Sequence, residues 1–102
     1  MGMALALAAC TPPDPAATRA DARAVLLGLA ERNFPGIDPE PGVECVLEHA
    51  RADELGVLAR AAKAGVDEET RDTAYFIVAR PATRQCLMQN VPELSGRGGR
   101  DG

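Results

Sequence analysis

Apolar and polar residues follow a helical period along most of this chain. Ala22, Val25, Leu26 and Leu29 fall at i, i+3, i+4 and i+7, which places them on one helix face. Arg19, Asp21, Arg23, Glu31 and Arg32 lie largely off that face. Asp14-Pro15 reads as an N-cap followed by a proline at the first helical position. Asn33-Phe34-Pro35-Gly36 ends the helix, because proline and glycine continue it only at a cost.

After a loop over residues 37–42, Val43, Val46, Leu47 and Ala50 repeat the same spacing, and Cys45 sits beside that stripe. Asp53 is the expected cap of a third helix carrying Leu55, Leu58, Ala61 and Ala62, with Gly65 at its end. Asp67-Glu68-Glu69 places three carboxylates where a helix N-terminus favours negative charge. The TAYFIVA that follows would also suit a strand, but the acidic start and the absence of a partner strand favour a helix. Pro81 then opens a last short helix, PATRQCLMQN, bearing Cys86, Leu87 and Met88.

The pattern therefore predicts an all-α fold, a small bundle of four to five short helices over residues 16–91. Its expected core is Leu, Val, Ile and Ala, with Phe34 and Phe76 as bulky fillers. Residues 92–102, rich in glycine, are expected to be disordered, and no internal repeat is present. A body this small gains from a covalent staple.

Composition removes several function classes. The formal net charge of −4 is the wrong sign for a phosphate-binding surface, and three aromatic residues offer bases little to stack on, so nucleic-acid binding is disfavoured. The single serine, Ser95, lies in the expected tail, where nothing would hold a base against it. No catalytic residue, cofactor or metal is expected.

Two acidic groupings come closest to chemistry. Glu44 and Glu48 lie one turn apart with His49 adjacent, but His49 points about 100° from Glu48 around the helix. No second histidine or suitably spaced cysteine completes a zinc set in sequence, so a solvated helix face is the expected reading. Asp67, Glu68, Glu69 and Asp72 form the densest cluster, which helix-start electrostatics explain. In Arg80-Pro81-Ala82-Thr83-Arg84-Gln85-Cys86, the two arginines suit an anionic partner, but a structural role for the turn and the cysteine is favoured.

The first fifteen residues carry the most specific motif. Leu7-Ala8-Ala9-Cys10 resembles the lipobox that ends the signal of bacterial lipoprotein precursors. The resemblance implies that Cys10 carries diacylglycerol through a thioether and that residues 1–9 are a signal-peptide remnant. Residues 10–15, with three prolines, then form a tether. No basic residue precedes the apolar run, so this reading expects one encoded upstream of Met1. Without the lipobox, the same stretch is a short apolar N-terminus on a cytosolic helical protein.

If Cys10 takes lipid, Cys45 and Cys86 remain as a pair 41 residues apart. Joined in an oxidising periplasm, they would stabilise the fold by about 3–4 kcal/mol. In a reduced cell they would be two buried thiols. The body also resembles small, poorly characterised α-proteobacterial envelope proteins, through Cys45 and the Arg80-Pro81-Ala82-Thr83…Cys86 ending. That resemblance implies a compartment and a disulfide rather than an activity. Some of these proteins carry the name succinate dehydrogenase, which would demand a dinucleotide-type flavin site or cysteine-rich iron–sulfur ligation. The chain has neither, which leaves an accessory association with a respiratory complex.

The expected function is that of a small lipid-anchored envelope protein on the periplasmic face, anchored in the outer membrane. It would be a non-catalytic interaction or structural module, with the membrane and an envelope protein as partners. The alternative is a cytosolic helical adaptor or regulator with a groove between its helices.

Overall fold

A computed structural model of the 102-residue chain describes residues 14–95. Cys10, the lipobox and the glycine-rich tail from Gly96 onward lie outside the described residues. Five α-helices follow in order: α1 (Pro15–Asn33), α2 (Glu40–His49), α3 (Ala52–Ala64), α4 (Glu68–Ala79) and α5 (Pro81–Asn90). A 3₁₀ turn, Pro92–Ser95, ends the described chain, and no strand occurs among the described residues. The all-α expectation holds, and TAYFIVA is helical.

Local chemistry explains most boundaries. The Asp14 carboxylate accepts a hydrogen bond from the Ala16 N–H at 3.2 Å, with Pro15 in the first turn where no donor is needed. Helix α2 begins at Glu40, two residues before the expected Gly42. Pro41 in its first turn costs no hydrogen bond, and Asp38 accepts from the Glu40 N–H at 3.1 Å. Helix α3 is capped at Arg51 rather than at Asp53, which lies inside its first turn. The Glu54 carboxylate reaches back to accept from the Arg51 N–H at 2.8 Å, a bond that the spacing of Asp53 does not permit. Gly65 closes α3 at φ 94°, a conformation that glycine adopts without strain.

Asp67 and Thr70 form a reciprocal cap at the start of α4. Asp67 accepts from the Thr70 N–H at 2.9 Å and the Thr70 hydroxyl at 2.8 Å. These bonds hold the Asp67 carboxyl below the usual aspartate range, the Thr70 backbone N–H contributing most. A single residue, Arg80, separates α4 from α5. It is extended at φ −65°, ψ 138°, as the residue before a proline must be.

On the first three helices the core is built from predicted stripe positions, and Ile77 joins them from α4. Ala22 and Leu26 of α1, Val43, Val46 and Leu47 of α2, Leu58 of α3 and Ile77 of α4 form one buried cluster. Helix α1 packs most extensively on α3, and α2 on α5, whereas α1 and α4 barely meet. No helix among the described residues is long and apolar enough to cross a membrane.

The bulky fillers are not where the pattern placed them. Phe34 is 49% exposed and Phe76 62% exposed. Phe34 caps the C-terminus of α1 and so sits outside its packed stripe. On α4 the inward face runs Thr70, Ala74, Ile77 and Val78, which turns Phe76 about 100° away. Met88 on α5 is exposed as well.

Candidate functional site

The poor contact between α1 and α4 leaves an open groove of about 540 Å³. Its floor is the outer edge of the core, Leu26, Ala30, Val43 and Val46, and Leu87 and Val91 also line it. Phe34 and Tyr75 stand at its mouth, with Arg71, Asp72 and Asp38 along the rim. Helix period explains the arrangement. Arg71, Ala74, Tyr75 and Val78 share one side of α4 at i, i+3, i+4 and i+7, and of these Ala74 and Val78 lie at the edge of the inward face beside Ile77. The lining comes from four helices, so no contiguous stretch of sequence signals it. This volume lies in the range of clefts that take ligands or anchoring side chains, about 300–1,000 Å³.

The fold disperses the expected acidic groupings. Glu44 turns toward α1, where with Glu40 it ion-pairs Arg23, and it lies 3.8 Å from Arg19. It therefore shares no site with Glu48. In the second cluster, Asp67 caps α4, Glu69 pairs with Arg60 of α3 at 3.6 Å, and Asp72 stands at the groove rim.

Arg80 is taken up structurally. Its guanidinium grips the Glu54 carboxylate with two hydrogen bonds, Nη1 to Oε1 at 2.7 Å and Nη2 to Oε2. Nη1 also donates to the His49 carbonyl at 2.9 Å. The bond from Arg80 is the main reason the Glu54 carboxyl lies below its usual range, with burial opposing it. Sequence reading missed Glu54, because a glutamate in a first helical turn looks like ordinary dipole chemistry. Arg84 is exposed on α5.

Cys45 and Cys86 form a disulfide between α2 and α5, with Cα atoms 5.8 Å apart. The fold also brings Glu48 and His49 to that disulfide. Donor atoms of Glu48, His49 and Cys86 all lie within 4.8 Å of one another. The missing cysteine is thus supplied by a helix 37 residues away from His49 (86 − 49), a distance at which spacing rules are silent. With both sulfurs bonded to each other, neither offers a thiolate, and the grouping in this form is a covalent staple.

No family model, curated protein sequence or solved structure matches the chain.

Proposed function

We propose that the chain is a small lipid-anchored protein of the bacterial cell envelope. It is held through Cys10 on the periplasmic face, anchored in the outer membrane, and acts as a non-catalytic interaction module. The groove between α1 and α4 carries the interaction part of this reading. It receives an apolar segment of an envelope protein, whose flanking charges meet Arg71 and Asp72 on α4 and Asp38 in the loop before α2. An arginine and two exposed aromatics beside an apolar floor match the composition of protein-binding hot spots. The lipobox supports the anchor, and the Cys45–Cys86 bond suits an oxidising compartment.

Intact mass of the protein from its own host tests the anchor. Loss of residues 1–9 with a lipid mass on Cys10 supports it; an unmodified chain with a free Cys10 thiol overturns it. Photo-crosslinkers at positions 34 and 75, with one at Arg60 as control, test the groove. One envelope protein captured from the first two positions and not from the third supports it. Equal capture from all three positions overturns it.

The groove serves a second reading equally well, a cytosolic adaptor that binds its partner there. The mass measurement separates the two.

A further inference from the structure

Cys45, Glu48 and His49 stand at i, i+3 and i+4 on α2, so Glu48 and His49, although about 100° apart, flank Cys45 on either side, one turn along the helix. Cys86 faces them from α5, joined to Cys45 by the disulfide. Glu48 Oε1 lies 4.0 Å from the Cys86 sulfur. Two sulfurs, an imidazole and a carboxylate thus converge on one spot. Cys45 is buried, Cys86 and His49 are half-buried and Glu48 is exposed, so the spot is open to solvent on one side.

We propose that the reduced chain binds a divalent d-block cation, zinc foremost, through Cys45, Cys86, His49 and Glu48. Thiolate, imidazole and carboxylate are the ligand types zinc takes in four-coordinate sites. Bond lengths of about 2.3 Å to sulfur and about 2.0 Å to nitrogen or oxygen place neighbouring tetrahedral ligands roughly 3.3–3.8 Å apart. The Glu48, His49 and Cys86 donors already lie within 4.8 Å of one another, so closing on a metal takes about an ångström of side-chain movement. The two sulfurs move apart instead of together, which requires the bond between them to open.

A dithiol reductant opens it. The S–S bond breaks as the reductant transfers two electrons and two protons and becomes a disulfide itself. Each of the two new thiols then releases one proton to solvent as its thiolate takes the cation. With two thiolates and the Glu48 carboxylate around a 2+ ion, the site carries a single net negative charge.

A neighbouring side chain fits both states. The Asn90 amide N–H donates to the Cys86 carbonyl at 2.8 Å, and the same nitrogen lies 3.6 Å from the Cys86 sulfur and 4.0 Å from that of Cys45. A donor held beside two sulfurs stabilises thiolate charge and orients the ligands, as outer hydrogen bonds do at metal sites. The two forms of the site link the same pair of helices, α2 and α5, one through a bond and the other through an ion.

The test uses the full chain carrying Cys10→Ser, so that only the two thiols of interest are present. The chain is reduced with a phosphine, freed of reductant and titrated with Zn²⁺ against a chromophoric chelator, and with Co²⁺ as a spectroscopic probe. The expected results are one metal per chain, thiolate-to-cobalt charge-transfer bands with tetrahedral d–d absorption, and no comparable binding by the oxidised chain. His49→Ala and Glu48→Gln each weaken Zn²⁺ binding roughly tenfold or more, and Asn90→Ala weakens it by about tenfold. If reduction unfolds the chain, Zn²⁺ restores its helical circular dichroism. Equal binding by the oxidised chain, unchanged affinity in His49→Ala, or a reduced chain that neither binds Zn²⁺ one-to-one nor refolds with it overturns the proposal.

Discussion

Arg80 grips the carboxylate of Glu54, 26 residues earlier in the chain, through two parallel hydrogen bonds. The pair ties two corners together. Arg80 is the single residue between α4 and α5, and Glu54 lies in the first turn of α3, next to the His49 carbonyl that Arg80 also holds. A bidentate arginine fixes direction as well as charge, which a lysine at the same corner would not.

This pair makes stability depend on acid. Hydrogen bonding to Arg80 holds the folded Glu54 carboxyl below its ordinary range, so the unfolded chain takes up the proton more readily. The stabilisation is complete above the usual glutamate range, about pH 4.3, and is lost as pH falls through the depressed value. Asp67, lowered by its bonds from Thr70, adds in the same direction. Arg80→Met is therefore expected to lower the melting temperature at pH 7, because it strands a buried carboxylate. Its deficit relative to the parent chain is expected to shrink below pH 4; melts by circular dichroism across pH 3–7 check this. A deficit independent of pH would remove the ion pair from the account.

The disulfide closes a loop with a sequence separation of 41. Replacing both cysteines with alanine, Cys45→Ala with Cys86→Ala, is expected to cost about 3–4 kcal/mol in the chain-entropy view. Urea unfolding of the double variant beside the oxidised parent measures it. A loss below about 1 kcal/mol would mean that the unfolded chain is already constrained without the bond.

Adjacent residues on α4 are expected to behave in opposite ways. Ile77 is fully buried, and Ile77→Ala is expected to destabilise by about 2–4 kcal/mol through the cavity it leaves. Phe76→Ala removes a larger side chain from solvent and is expected to change stability by less than about 0.5 kcal/mol. Chemical unfolding of both variants gives the comparison directly.

That contrast marks the limit of what the sequence could tell. Helical period located the buried stripes of α1 and α2 and the aligned positions Leu58 and Ala61 of α3, because those rows depend only on neighbours a turn apart. It did not say which side of TAYFIVA faces inward, since apolar residues occupy nearly every position there and the choice rests on α2 and α3. The same holds for function. Proline at residue 81 announced a turn, but Glu54 as the partner of Arg80 and Cys86 as the neighbour of His49 are products of tertiary contact. The groove is legible only once four helices are in place, although the exposed Tyr75 lies on its rim.

Thr83 is fully buried on α5, and its hydroxyl has no hydrogen-bond partner. An unsatisfied hydroxyl in an apolar setting is costly, and a methyl of similar size is not. Thr83→Val is expected to stabilise the fold by about 1 kcal/mol, a rise of about 4–8 °C in melting temperature for a domain of this size. Calorimetry decides it, and a fall in melting temperature would show that the hydroxyl is satisfied.

Helices α3 and α4, with the bend at Gly65 between them, all lie within the ring that Cys45 and Cys86 close. A protease that nicks the backbone at Val66 therefore yields two peptides that stay linked. The cut protein stays one molecule, heavier only by the water that hydrolysis adds, until the link is broken chemically, and its leading half cannot drift from its trailing half.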